Sequence, residues 1–240
     1  MKVAYYKKCD SKYTSIVDAL KSVGVKEPSM DVRKKIGKLN GISNVGTESS
    51  NKKMLSLLKK GKLIKSITET AGDKFVGYMY GIHEGIKAYG NLFFYSFTHS
   101  EASFAKALKK VNAGKKTGIT CVVPTRWGLS LMGINPSGFY GKDGKFSKYT
   151  DEMKKHLTKI TTGEVIGKTI KQAVDKGLLQ PGDIIIFKGR THTVSYTGNG
   201  YLVFDGGSAA QSRGYNKVGI VLDYSVVDKN YKISGIMRWK

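Results

Sequence analysis

Acidic residues are scarce in this chain: 18 Asp and Glu stand against 41 Lys and Arg, a formal net charge of +23. A field of that sign concentrates polyanions near the protein, whether nucleic acid or the anionic wall of a Gram-positive cell. The excess is mostly lysine and is spread through the chain. A dense arginine stripe is missing, which weakens the nucleic-acid footprint. Cysteine is scarce too, with only Cys9 and Cys121, which excludes a disulfide scaffold. Cys9 falls in a polar leader expected to be mobile, so no bridge between the two is expected. There is no C-x-x-C, and the four histidines are scattered, so no structural metal site is indicated. No apolar run approaches the ~18 residues that cross a bilayer. The stretch MKVAYYKKCDSKY has basic residues but no apolar region behind them, unlike a secretory signal. Work outside a cell would then follow release by lysis, or assembly into a particle.

What is present is a globular composition. The chain has 240 residues, 40% of them hydrophobic, enough for one large or two small domains. Three short helices are expected between residues 14 and 64. The first follows Ser15, with Asp18 completing a capping-box-like start; Ile16, Leu20 and Val23 share a face, and Gly24 ends it. The second follows Ser29, carries Val32, Ile36 and Leu39, and stops at Asn40-Gly41. The third follows Thr47, turns Met54, Leu55, Leu57 and Leu58 inward, and stops at Gly61. So small a bundle reads as a binding module, residues 1–66, ahead of a larger domain, 67–240.

The larger domain begins helically. Phe75, Met79, Ile82 and Ile86 share one face, and Phe104, Leu108 and Val111 share another. The aromatic stretch from Tyr89 to Phe97 between them has no decisive pattern. Helices are also expected near 149–158 and 164–176, after a Gly/Lys/Tyr loop at 135–148. The pattern then changes to β-rich runs at 184–187, 191–197, 201–204, 219–226 and 231–239. Gly189, Gly198-Asn199-Gly200 and Asp228-Lys229-Asn230 mark the turns. Helices first and an antiparallel meander after them make an α+β layout.

Two residues carry chemistry. Cys121 opens the helix expected in Thr120-Cys121-Val122-Val123-Pro124-Thr125-Arg126-Trp127, and Pro124 is tolerated in a first turn, where N–H groups lack intrahelical partners. The positive end of the helix dipole favours thiolate over thiol. His192 opens a strand after LLQPGDIIIFKGRT and can accept the thiol proton, which makes a nucleophile–base pair. His83, His99 and His156 read as surface or packing residues, and Trp127 as core. Arg126 could line the cleft beside the thiolate, and the loop from Phe139 to Gly144 could form a substrate lip.

Both halves have a resemblance. The stretch YTSIVDALKSVGV, then RKKIGKLNGISNVGT, then NKKMLSLLKKGKLIK resembles a short repeat appended to lysins and amidases of Gram-positive bacteria and their phages, which implies wall binding. The second half resembles the NlpC/P60 and CHAP group of papain-like cell-wall peptidases and amidases. Thr120-Cys121-Val122, Leu179-Gln180-Pro181-Gly182-Asp183 before an apolar strand, and His192-Thr193-Val194 carry that likeness. It implies a papain-like fold, a helix bearing the cysteine packed on an antiparallel sheet. It also implies Cys121 as nucleophile, His192 as base and a third residue orienting the imidazole, with no cofactor and no metal. Asp205, after the Gly-Asn-Gly turn, is the candidate third member. The chain departs from the group in two places. T-C-V-V replaces the usual D-C-S-G, and the orienting residue usually stands twelve places after the histidine, where this chain has Phe204. An odd offset turns a side chain to the other sheet face unless a bulge intervenes.

The expectation is an endolysin-like peptidoglycan hydrolase that cuts an amide bond of the wall peptide. A catalytically dead wall-binding protein and a basic nucleic-acid-binding protein are the alternatives.

Overall fold

The computed structural model describes residues 2–96, 98–136, 150–187, 192–206, 220–226 and 231–240. Its internal contacts divide the chain into two units, Met1–Thr70 and Ala71–Lys240.

The first unit holds the three helices α1 (Ile16–Ser22), α2 (Met30–Leu39) and α3 (Glu48–Lys59). Side chains of Ser15, Ser29 and Thr47 accept the N–H groups of Asp18, Val32 and Ser50, satisfying donors that a helix start leaves over. Gly24 and Gly61 follow α1 and α3 with φ of 94° and 66°, backbone that only glycine adopts cheaply. Leu20, Met54, Leu58 and Leu63 are fully buried at the centre.

Two features differ from expectation. The leader is not loose: β1 (Lys2–Tyr5) pairs antiparallel with β2 (Ile64–Thr68). Cys9 sits in the core of this unit, 5% exposed. The unit therefore runs past residue 66, since a cut there would divide β2. Short, largely exposed strands at opposite ends of a module show no local period long enough to read, and only their pairing makes them strands. Asn40 ties β2 to the end of α2. Its side-chain amide donates to the Ile64 carbonyl at 3.0 Å and accepts the Ile64 N–H at 2.8 Å, as a neighbouring strand would.

The second unit begins with α4 (Ala71–Tyr89), whose Phe75, Met79, Ile82 and Ile86 are fully buried. The undecided aromatic stretch becomes a 3₁₀ turn (Gly90–Leu92) and β3 (Phe93–Tyr95), which runs parallel to β4 (Thr117–Ile119). Between those strands lies α5 (Phe104–Asn112), and β4 leads directly to α6 (Val122–Leu131). The helix α4 packs on α6 where a Cβ at Gly128 would meet Met79 Sδ and Phe75 at 2.7 Å. Trp127 is core, 1% exposed, and its indole N–H donates to the Glu101 carbonyl at 2.9 Å.

The helices expected near 149–158 and 164–176 are shorter than read. They form α7 (Asp151–His156) and α8 (Ile170–Asp175), the latter with a full capping box from Thr169 and Gln172. Directly after α7 comes β5 (Leu157–Ile160), where a helix end was expected. The remaining strands are β6 (Ile184–Phe187), β7 (Thr193–Tyr196), β8 (Leu202–Phe204), β9 (Val221–Asp223) and β10 (Ile233–Trp239). They form a six-stranded sheet in the order β5-β10-β6-β7-β8-β9, antiparallel throughout.

The meander thus stops at β9. The last strand crosses back to lie between β5 and β6 rather than beside β9, a long-range choice that no turn signal announces. The turn signals at Gly189 and at 228–230 lie outside the described residues, as does the loop from Phe139 to Gly144. Helices and antiparallel sheet make the unit mixed α/β, compatible with α+β.

Candidate active site

Cys121 is the residue before α6 and is 6% exposed. The chain reaches it from β4, with the Val123 N–H bonded to the Thr120 carbonyl at 3.1 Å. On α6, the Thr125 hydroxyl meets the Ser195 hydroxyl of β7 at 3.0 Å, both fully buried. This cross-link holds the cysteine helix in register with the strand that begins one residue after His192.

His192 lies against Asp205. The ring Nε2 and Asp205 Oδ2 are 3.0 Å apart, with side chains 12% and 0% exposed. Cys121 hydrogen-bonds the same imidazole. Burial works against charge on His192, but the Asp205 carboxylate, with a smaller contribution from Cys121, overcomes it and raises the imidazole from 6.5 to about 10. The ring stacks on Phe187 at 5.7 Å and 19°, and Tyr231 tilts against it at 5.9 Å. Those two rings leave the imidazole little room to rotate.

The odd offset is not an obstacle. The strands β7 and β8 pair Ser195 with Phe204 and Tyr196 with Val203, with no shift in register. Continued one step, that register sets Asp205 opposite Val194, two residues from His192 on the same face. In an antiparallel hairpin the loop length decides which offset shares a face. Phe204 instead takes the other face, 1% exposed, with Tyr80 edge-on to it at 4.9 Å. Gly206 follows: a Cβ there would lie 2.6 Å from the Thr120 carbonyl oxygen and 3.0 Å from Pro124. Only glycine lets the end of β8 close against the start of the cysteine helix.

The Pro-Gly-Asp segment is scaffold. Asp183 is fully buried, accepts the Gln180 N–H at 2.9 Å, and takes both arms of Arg238 from β10 at 2.9 and 2.7 Å. Burial pushes its carboxyl above the ordinary range, against the pull of Arg238.

Of the other histidines, His99 and His156 are exposed and stand among local partners, Thr98 and Glu152. His83 is a packing residue: it is half-buried, and its Nδ1 accepts the Ile220 N–H at 3.1 Å. Nothing in the helical period around it, which places it beside Ile82 on α4, signals that partner.

The chain matches no protein-family model and no curated protein sequence. The reading of the site therefore rests on its own chemistry: a thiol at a helix start, an imidazole of raised basicity and a buried carboxylate behind it.

The first unit has an open groove of about 500 Å³. Lys34 and Lys38, one turn apart on α2, line it together with Ile42, Ser43, Asn44 and Val45. Gly37 allows this loop to fold onto the helix, since a Cβ there would collide with Val45. Among the described residues, no helix is long and apolar enough to cross a membrane.

Proposed function

We propose that the chain is a cell-wall hydrolase, a papain-like cysteine peptidase or amidase of the NlpC/P60 and CHAP kind, carried on an N-terminal wall-binding module. One observation carries the reading: His192 stands between the Cys121 thiol and the buried Asp205 carboxylate, with Cys121 at the start of α6. An imidazole of that basicity is protonated at neutral pH, so it favours a preformed thiolate–imidazolium pair. The thiolate attacks an amide carbonyl of the peptidoglycan peptide, forming a C–S bond. Backbone N–H groups at the helix start, including that of Cys121, hold the oxyanion. His192 gives its proton to the leaving amine as the C–N bond breaks. It then takes a proton from water, which opens the thioester and regenerates the thiolate. Asp205 keeps the ring oriented and its positive charge compensated throughout. Every step is carried by these side chains and water.

The basic groove of the first unit suits an anionic wall polymer, and a wall substrate matches the charge of the whole chain. Release by lysis, or carriage on a phage particle, is the setting proposed for such an activity. The deciding experiment is mass spectrometry of fragments released from purified peptidoglycan. Wild type is expected to release peptides with new amide-derived termini, and Cys121→Ala none, at unchanged stability. Equal release by the alanine variant would overturn the reading.

A further inference from the structure

The β8–β9 hairpin ends at Asp205 and Ile220. The pairs Leu202–Asp223, Val203–Leu222 and Phe204–Val221 continue to Asp205 opposite Ile220. The Asp205 N–H donates to the Ile220 carbonyl at 2.6 Å. In a regular antiparallel pair of this type, the Ile220 N–H would return the bond to Asp205. It turns instead to Nδ1 of His83, which takes over the second half of the last rung. Three residues earlier on the same helix face, Tyr80 packs edge-on against Phe204. Two side chains of α4 thus hold the end of this hairpin, and the residue so held carries the carboxylate that faces His192.

His83 is suited to that task. Its side chain is 17% exposed, so the bond is largely shielded from competing water. Burial holds its ring below the ordinary histidine range, with Glu84 pulling up and Lys87 down. The neutral ring, protonated on Nε2, keeps Nδ1 as an acceptor.

We propose that His83 is a positioning residue for the reacting group, acting through Ile220 to fix the backbone of Asp205 and hence the grip of its carboxylate on His192. The inference rests on the reading of Cys121, His192 and Asp205 as one reacting group. Removing the acceptor leaves a half-buried N–H unsatisfied and lets the hairpin end move. A carboxylate displaced from the imidazole supports its charge less, so His192 titrates lower.

The test follows the ring resonances of His192 by NMR as pH is raised, in the full-length chain and without substrate. His83→Asn, whose side-chain oxygen falls near the place of Nδ1, is expected to keep the wild-type midpoint. His83→Leu is expected to lower it by about one pH unit or more, and to reduce kcat on peptidoglycan with KM little changed. If the leucine variant does not fold, His83→Ala serves in its place. A midpoint unmoved in the leucine or alanine variant would overturn the proposal, as would an equal shift in His83→Asn. Failure of the wild type to hydrolyse wall would sink the hydrolase reading alone, because the titration needs no turnover.

Discussion

At the scale of the residue, charge on His192 is the quantity that matters. Its folded pKa is raised from 6.5 to about 10 by Asp205 and Cys121 against the opposing effect of burial. A raised value means that the folded state binds the proton more tightly than the unfolded chain. The pairing therefore contributes its full stability below about pH 6.5 and loses it as pH rises through about 10. Asp205→Asn removes the charge but leaves an acceptor, so that pH-dependent contribution should largely vanish. Thermal unfolding of the two proteins between pH 6 and 10 checks this: wild type should lose melting temperature relative to the variant as pH rises. On the proposed mechanism, the same substitution should move the alkaline limb of kcat/KM to lower pH, because the imidazolium that would protonate the leaving amine is lost earlier. An unchanged alkaline limb would mean that the imidazole charge is compensated from elsewhere.

At the scale of the element, Asp183 and Arg238 join the turn before β6 to β10, the strand that crosses back beside it. The carboxylate is fully buried and receives two guanidinium bonds and one backbone N–H. Arg238→Leu would leave that carboxylate buried without its cation. Breaking such a pair from one side costs roughly 3–5 kcal/mol, and denaturant unfolding should show a loss near that size. Replacing both partners together with apolar residues should cost less than the single change. His192 lies beyond this turn, so wall hydrolysis at low temperature should survive in the folded fraction of Arg238→Leu.

At the scale of the whole molecule, the net charge of +23 attracts any polyanion, and the proposed reading makes the groove on α2 the place where attraction becomes retention. Lys34→Ala with Lys38→Ala should weaken co-sedimentation with Gram-positive walls at about 0.15 M salt, where charges beyond about 8 Å are screened. Lys53→Ala with Lys60→Ala removes the same charge from exposed positions of the first unit outside the groove. Equal losses in the two double variants would show that wall binding is a property of diffuse charge. A loss confined to the first would locate it in the groove.

Local signals were enough for the helices of the first unit, because Ser15, Ser29 and Thr47 are caps whose partners lie three residues away. They were also enough for the buried face of α4, for the approximate strands from β6 to β10, and for Cys121 and His192 as a pair worth testing. Each of these depends on neighbours close in the chain or on a simple period. Tertiary structure decided the rest. The short strands β1, β2 and β5 exist only through partners far along the chain, and Cys9 is buried only because the leader folds back. Asp205 meets His192 through the length of the hairpin loop, which sets which odd or even spacing shares a face. His83 looks like any residue of an amphipathic helix until the last rung of the β8–β9 hairpin turns toward it. Hydrogen bonds made across such distances leave no period in the sequence, and only the assembled sheet reveals them.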